Sequence, residues 1–445
     1  MPRLIWEAGD EILTGQGGLG VVGALFASLP LGDQLNASVV PGAEHPNISH
    51  RDVVAAYVGL LAQGQSDYDH IEAFREDPFF QHALDLSHVP SSPTLRQRLQ
   101  LAAAGDSQAP WTTAIQDSSV VLLQQHADLH PLTIGTHAYI PLDIDVSPFD
   151  NGKTKKEGVS RTYKGCDGFA PIFAYLGHEG YALAATLREG KQHSQKETPE
   201  FLQACLDRAQ RIRPNARFLV RLDSGNDSTD NLDLCDERGV DFLIKRNLRK
   251  EKPEDWLARA KKDGTAVKAR EGKTIYQGAC KLPPRSGHDP VRVVYQVVER
   301  TITAQGQVLL IPEIDVATYW VSLADDPADI LPWYPDHGTM EQYHSEYKTD
   351  MDLERLPSEK FATNALILQM AMLVFNILRI MGQATLHDAA VPLRAARQRR
   401  RLRTVIQNLV TCAAKFISHA RQYRARYAAH NPWGVVIGHL YARFT

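Results

Sequence analysis

The feature that most constrains the fold is the order of elements between residues 135 and 250. Three apolar runs, AYIPLDIDVS, GFAPIFAYLG and YALAATLREG, follow one another across Gly-containing turns and predict three antiparallel strands. After them come a helical pattern, PEFLQACLDRAQRIR, a strand pattern, RFLVRLDSG, a short helix, STDNLDLCDERG, and a further strand, DFLIKRN. The segment therefore predicts the order β-β-β-α-β-α-β, in which helices cover a central sheet.

The flanking segments differ from this core in periodicity. DVVAAYVGLLAQG and SPTLRQRLQLAAAG carry apolar residues at helical spacing, so the chain up to residue 128 is predicted to be helical. SSPTLRQRLQ is either the second helix of a helix-turn-helix that binds DNA or a plain packing helix. KTIYQGACKLP, VRVVYQVVERTIT, VLLIPEI and TYWVSLAD predict a β-rich insertion. FATNALILQMAMLVFNILRIMG is apolar nearly all round, which predicts a buried helix.

Five segments follow from these patterns. We expect a helical N-terminal domain for DNA binding or assembly over 1–128, and the first part of an α/β core over 129–250. A β-rich insertion is expected over 251–335, the second part of the core over 336–388, and a basic helical segment over 389–445.

The net charge of −3 conceals a strong asymmetry along the chain. No Asp or Glu follows Asp388, whereas arginines are dense just beyond it, at Arg394, Arg397, Arg399, Arg400, Arg401 and Arg403. One interpretation is a solvated helix face. The complete absence of acids favours a polyanion partner instead, and we predict DNA binding by Arg399, Arg400 and Arg401.

Composition narrows the class of protein. A chain of 445 residues is long enough for two to four domains. The five cysteines are scattered without C-x-x-C spacing, so neither a disulfide framework nor a zinc ribbon is indicated, and a reducing cytoplasm is expected. No apolar run approaches bilayer length, so no membrane partner is expected. The pattern G-x-G-x-x-G at residues 15–20 lacks a preceding strand and a βαβ unit, which argues against dinucleotide binding.

Acidic residues follow the predicted strands at positions suited to metal binding. Asp143 and Asp145 lie two apart near the end of the first core strand, and Asp223 follows FLV before a Ser-Gly turn. Glu341 opens a later helix, with Lys348 two turns along the same face. Phosphodiester chemistry assisted by two Mg²⁺ ions needs such converging carboxylates. Taken singly, each aspartate is equally explained by turn chemistry, and Glu341 by an ordinary amphipathic helix.

Together these segments resemble the DDE group 1 transposases of bacterial insertion sequences, from about residue 50 to 385. The first aspartate motif is matched by Asp145-Val146-Ser147, which selects Asp145 over Asp143. The second, R-x-D-x-G, and the third, Tyr-(2)-Arg-(3)-Glu-(6)-Lys, are matched at Arg221, Asp223, Gly225, Tyr334, Glu341 and Lys348. The arginine of the third motif is replaced by His337, and a histidine lacks the permanent charge of an arginine. HSEYKTDMDLERLPSEKFATN and SDYDHIEAFREDPFF also look like one branch of the family.

The resemblance implies a ribonuclease-H-like catalytic core interrupted by the β-rich insertion. It implies that Asp145, Asp223 and Glu341 hold two Mg²⁺ ions, for which Mn²⁺ can substitute. Tyr334, His337 and Lys348 would contact DNA phosphates. The enzyme would cleave double-stranded DNA at terminal inverted repeats and transfer the 3′-OH ends to target DNA, as a homodimer in a bacterial cytoplasm. The alternatives are a nuclease on the same fold and a non-catalytic DNA-binding protein derived from a transposase.

Overall fold

The computed structural model describes residues 4–7, 9–392, 398–419 and 422–445. Its N-terminal part is helical, as predicted, apart from one short strand. Side chains cap three of the helices. Ser91, for example, accepts the backbone N–H of Thr94, and Pro93 lies in the first turn of the helix that Ser91 caps. The elements are β1 (Leu13–Thr14), α1 (Leu19–Ala27), α2 (Leu31–Ala37), α3 (His50–Leu61), α4 (Pro78–Ala83), α5 (Ser92–Ala102) and α6 (Gln108–His126), with 3₁₀ turns at Tyr68–Phe74 and Gly105–Ser107.

Helix α5 contains the SPTLRQRLQ run. Residues 84–91 separate it from α4, which is longer than the three- to four-residue turn of a helix-turn-helix. Leu95 and Leu99 are fully buried, and Arg98 donates to the Ile48 carbonyl and approaches the His50 ring. The packing interpretation therefore describes α5 better than the helix-turn-helix interpretation.

The core follows the predicted order of three strands, a helix, a strand, a helix and a strand. A small separate sheet of β4, β6 and β5 is inserted after the first long strand. The elements are β2 (Leu132–Ile134), β3 (His137–Val146), β4 (Phe149–Asp150), β5 (Ser160–Arg161), β6 (Asp167–Phe169), β7 (Ile172–Leu176), β8 (Tyr181–Thr186), α7 (Thr198–Ile212), β9 (Arg217–Leu222), α8 (Thr229–Glu237) and β10 (Asp241–Arg246).

Strand β3 is the middle strand of the core part of the main sheet, which has the order β8-β7-β3-β9-β10. It pairs antiparallel with β7, which pairs antiparallel with β8, and it pairs parallel with β9, which pairs parallel with β10. The carboxyl ends of β3 and β9 therefore meet at one edge of the sheet. In the register of this pair Asp143 lies opposite Arg221, and Ile144 opposite Leu222.

The insertion is β-rich, as predicted, but it extends the core sheet. After α9 (Pro253–Asp263) come β11 (Thr265–Arg270), β12 (Lys273–Leu282), β13 (Val291–Ile302) and β14 (Val308–Val321). Strand β14 pairs antiparallel with β10, which yields a ten-stranded sheet in the described part of the chain. VLLIPEI and TYWVSLAD, predicted as two strands, form this one strand. Pro312 is tolerated because only the end of β14 near Val321 pairs with β10, which leaves the Pro312 side of the strand as an open edge.

The chain ends differently from the prediction of a basic helical segment. Its later elements are α10 (Pro327–Ile330), α11 (Met340–Ser345), α12 (Phe361–Ala384), α13 (Leu402–Val405), β15 (Ala414–His419), β16 (Gln422–Tyr427) and α14 (Gly434–Phe444), with π turns at Glu346–Asp350 and Ile406–Val410. The hairpin β15–β16 pairs with β1, so residues near both ends of the chain share a sheet. The helical prediction was wrong here because AKFISH and QYRARY alternate in strand fashion and bury Phe416. Arg394 and Arg397 lie outside the described residues.

Helix α12 is the buried helix predicted from FATNALILQMAMLVFNILRIMG. Its length and hydropathy would allow it to cross a membrane, but 94% of its apolar window is buried inside the protein, as in the core helix of a folded domain. It packs against α6 and β8, and Asn376 exchanges hydrogen bonds with the backbone of Ala182. The helix thereby supports the sheet beneath the site described next.

Candidate active site

A buried ion pair fixes the ends of β3 and β9 relative to each other. The Arg221 guanidinium donates from Nε and Nη2 to the two oxygens of Asp143, each at 2.6 Å. His337 Nδ1 lies 3.0 Å from Asp143 Oδ1. Burial alone would raise the pKa of Asp143, but Arg221 and His337 hold it well below its ordinary value. Asp143 is therefore a structural residue, and its negative charge is already balanced by Arg221 within the protein.

Asp145 and Asp223 follow Asp143 and Arg221 on the same face of the sheet, toward the carboxyl ends of the strands. Each is two residues beyond a member of the Asp143–Arg221 pair, so the parallel register carries both to the end of the sheet. Asp145 accepts the Val146 N–H at 2.7 Å, and Asp223 accepts the Asn226 amide at 2.8 Å. Burial and the neighbouring Asp223 raise the pKa of Asp145 to about 6. In the described part of the chain, neither acid forms an ion pair with a lysine or an arginine, and a histidine, His344, contacts Asp145.

The segment that carries the third motif covers this edge of the sheet. His337 is buried on Asp143, and the Tyr334 hydroxyl approaches the Leu222 carbonyl at 3.4 Å. His344 Nδ1 is 3.8 Å from Asp145 Oδ2, and burial lowers the pKa of His344 to about 3. Lys348 is half-buried with its ammonium over the Phe149 ring, and burial lowers its pKa. His344 was not predicted from the sequence, because nothing in EQYHSE distinguishes one polar helix position from another.

The two glutamates of this segment have different environments. Glu341 is exposed on α11, one turn before the buried His344. Glu346 is fully buried and binds the guanidiniums of Arg379 and Arg399. Glu346 therefore acts in packing, whereas Glu341 has a carboxylate available for binding.

The donor set at the edge of the sheet suits a hard divalent cation. Asp145 and Asp223 supply carboxylate oxygens, and a cation between them would relieve the repulsion that raises the pKa of Asp145. Among the described residues, no three His, Cys, Asp or Glu side chains converge closely enough to hold a metal ion. The structure thus brings the two aspartates together but leaves Glu341 outside that group.

The comparisons with known proteins concern the whole chain. The family model described as transposase DDE domain group 1 matches residues 6–445. The chain belongs to this family of DDE transposases. The resemblance drawn from the three motifs is thereby confirmed.

Structural comparison of this DDE transposase found the cryo-EM structure of the piggyBac transposase synaptic complex with hairpin DNA. The two chains share 11% sequence identity and a TM-score of 0.41, with 88% of this chain and 78% of that chain covered. A search of curated proteins found no match.

The arginines predicted to bind DNA form internal contacts in this transposase. Arg399 binds Glu346, and its side chain is only 11% exposed. Arg400 is buried and donates to Thr385 Oγ1. Arg401 binds Asp350 and remains 47% exposed. DNA binding by these residues stays a prediction, and Arg401 is the one whose exposure suits it best.

Two further polar residues of the site, Asp336 and His178, gave no clear signal in the sequence. The Asp336 carboxylate accepts from His178 Nδ1 at 2.7 Å and lies 3.4 Å from Arg221 Nη1. His178 follows the end of β7, about 160 positions from Asp336, so only the folded chain brings them together. This contact joins the third-motif segment to the β7–β8 turn.

Proposed function

We propose that this transposase cleaves DNA at the terminal inverted repeats of its element and transfers the freed 3′-OH ends to target DNA. Asp145, Asp223 and Glu341 would hold two Mg²⁺ ions, with Mn²⁺ as a substitute. The observation that carries the proposal is the pair of unneutralised aspartates at adjacent strand ends, directly beyond a neutralised Asp143–Arg221 pair.

The strand arrangement supports a ribonuclease-H-like core for this reaction. Three antiparallel strands followed by two parallel ones, with the order β8-β7-β3-β9-β10, have the connectivity of that fold. The insertion enters after β10 and before Glu341, where the resemblance places it.

The roles of the chain's own residues follow from their positions. When bound, Mg²⁺ would activate the attacking oxygen and stabilise the leaving one. Asp143 and Arg221 keep β3 and β9 in register, so that the carboxylates beyond them are held at a fixed separation. Lys348, whose ammonium lies over the Phe149 ring, would bind a DNA phosphate, and Tyr334 and His337 would contact further phosphates. Such contacts position DNA without reading its sequence. Glu341 would complete the metal set once its side chain turns toward Asp145.

The partners proposed are double-stranded DNA carrying the inverted repeats, target DNA and a second copy of the chain. A homodimer is proposed because two element ends must be joined in one complex. We place the reaction in the cytoplasm of a bacterium, on chromosomal or plasmid DNA, without a membrane partner.

Cleavage by purified protein tests the proposal. A plasmid with two inverted repeats is incubated with wild type, Asp145→Asn, Asp223→Asn and Asp255→Asn, an exposed aspartate of α9 that serves as control. We expect Mg²⁺-dependent release of the element by wild type and the control, and losses above about a hundredfold for the other two variants. Binding of the repeats without cleavage by any protein would favour the non-catalytic interpretation. Cleavage without joining of ends would favour a nuclease.

A further inference from the structure

The tight turn between β5 and β6 lies beside the two aspartates. Residues 161–166, called here the 161–166 turn, close with Thr162 N–H donating to the Cys166 carbonyl at 2.9 Å and Gly165 N–H to the Thr162 carbonyl at 3.0 Å. Gly165 has a φ of +80°, which a residue with a side chain rarely adopts. The Tyr163 hydroxyl donates to the Val146 carbonyl at 2.9 Å, which anchors the turn one residue beyond Asp145.

Tyr163 and Lys164 of the 161–166 turn are open to solvent, whereas Thr162 is buried. Tyr163 is 64% exposed although its hydroxyl is bonded. Lys164 is exposed, and its ammonium lies 5.9 Å from the Tyr163 ring centroid. In the described part of the chain, no carboxylate forms an ion pair with Lys164. A rigid turn thus presents a cation that the protein itself does not neutralise.

The charge of Lys164 is directed toward the site. Tyr163, the neighbour of Lys164, is bound to the Val146 carbonyl, and Lys348 lies over the Phe149 ring, so both lysines are held at the segment that follows Asp145. The Lys164 ammonium accordingly adds to the burial that lowers the pKa values of His344 and Lys348. Lys164 and Lys348 therefore approach the same space from different elements, the 161–166 turn and the segment after α11. Two like charges that converge beside a candidate metal site create a region that favours an anion, and a phosphate group fits that requirement.

We infer that Lys164 binds a backbone phosphate of the DNA strand that enters the site, with Tyr163 fixing the turn that carries it. The inference rests on the proposed function in that the strand is the one to be cut. It adds a positioning residue between the first and second aspartate motifs, in a stretch that none of the three motifs covers. A backbone contact of this kind would strengthen binding to any sequence alike.

The salt dependence of DNA binding tests the inference without requiring cleavage. Binding is measured by fluorescence anisotropy with two labelled duplexes of equal length, one carrying an inverted repeat and one of unrelated sequence. Ca²⁺ replaces Mg²⁺. Wild type, Lys164→Ala, Lys164→Arg and Lys262→Ala are compared, because Lys262 is an exposed lysine of α9. Equal thermal unfolding temperatures establish that all four proteins are folded.

We expect Lys164→Ala to weaken binding to both duplexes about tenfold. It should reduce the slope of log K against log salt concentration by about 0.9, the value for one lost phosphate contact. Lys164→Arg should keep the slope, and Lys262→Ala should leave it unchanged. An unchanged slope for Lys164→Ala, or an equal reduction for Lys262→Ala, would overturn the inference. If the slope falls as expected while wild type cleaves nothing, the inference holds and the proposed function fails. If wild type cleaves DNA but Lys164→Ala leaves the slope unchanged, the proposed function holds and the inference fails.

Discussion

Asp143 and Asp145 lie two residues apart on β3, and their surroundings give them different chemistry. Asp143 is bound by Arg221 and His337, so its charge is stabilised by the folded protein. Asp145 keeps a 25% exposed side chain and has Asp223 as its charged neighbour. Of the two, only Asp145 has an unneutralised charge with which to bind a cation.

Replacing Asp145 should therefore stabilise the metal-free protein. Its pKa is raised from 3.8 to about 6, so the folded state binds this proton more tightly than the unfolded state does. The free energy of unfolding then falls as the pH rises from about 4 to about 6. Above pH 6 the total loss is at most about 3 kcal/mol. We expect Asp145→Asn to recover part of this loss at pH 7.5 in EDTA. Urea unfolding of wild type and variant between pH 5 and 8 measures the difference, and equal pH profiles would contradict the assignment.

Asp143→Asn is the matched variant with the opposite expected sign. It leaves the Arg221 guanidinium buried without its carboxylate, which typically costs about 3–5 kcal/mol. The same urea titration should show a lower midpoint at pH 7.5. If Asp143→Asn were as stable as wild type, the Asp143–Arg221 pair would not hold the two strands as described.

At the scale of elements, the segment from α11 through the π turn is fastened to α12. Glu346 binds Arg379, a fully buried residue of α12, and also Arg399. Asp350, in the same π turn, binds Arg401 and Arg403. Arginines of the basic run beyond Asp388 thus neutralise two acids of the π turn, which directly follows the helix that carries Glu341.

Glu346→Gln and Glu341→Gln should separate stability from activity. Glu346→Gln leaves two arginines without their carboxylate, and we expect a loss of about 3–5 kcal/mol. Glu341 is exposed, so Glu341→Gln should change stability by less than about 0.5 kcal/mol. Thermal unfolding of both variants tests the expected stabilities. Cleavage assays test whether Glu341→Gln loses activity while it stays folded. A stable Glu346→Gln that lacks cleavage would make Glu346 the catalytic acid instead.

The sequence alone was sufficient for the strands that carry Asp145 and Asp223, because apolar alternation and turn residues mark them clearly. It was not sufficient for the partners of Arg399 and Arg401, which lie about fifty residues earlier and have no local signal. The 161–166 turn has no strand signal in the sequence, since its flanking strands are two and three residues long. The hairpin β15–β16 was missed because its arginines suggested a solvated helix.

At the scale of the whole molecule, an early strand and helix of the chain contact its last elements. β1 pairs with β15, and α14 packs on α1; Val436 and Leu440 of α14 are buried. Gly18, at the start of α1, fits against the Leu409 carbonyl so closely that a Cβ would lie 1.5 Å from that oxygen. The glycine-rich stretch before α1 therefore serves this close packing.

Weakening the contact between α14 and α1 should destabilise α1. Leu440 is 2% exposed, and Leu440→Ala should cost about 2–5 kcal/mol and speed amide hydrogen exchange in α1. The control is Val435→Ala, because Val435 is 60% exposed and its truncation should cost less than about 0.5 kcal/mol. Unchanged exchange of the α1 amides in Leu440→Ala would show that α14 does not stabilise α1.

The most direct test of the central claim is excision in bacterial cells. A marker flanked by the element's inverted repeats is supplied with wild type, Glu341→Gln or Glu359→Gln, the last being an exposed glutamate that serves as control. The account predicts excision by wild type and Glu359→Gln, and none by Glu341→Gln at equal protein levels. Equal excision by wild type and Glu341→Gln would contradict the assignment of Glu341 as the third metal-binding acid.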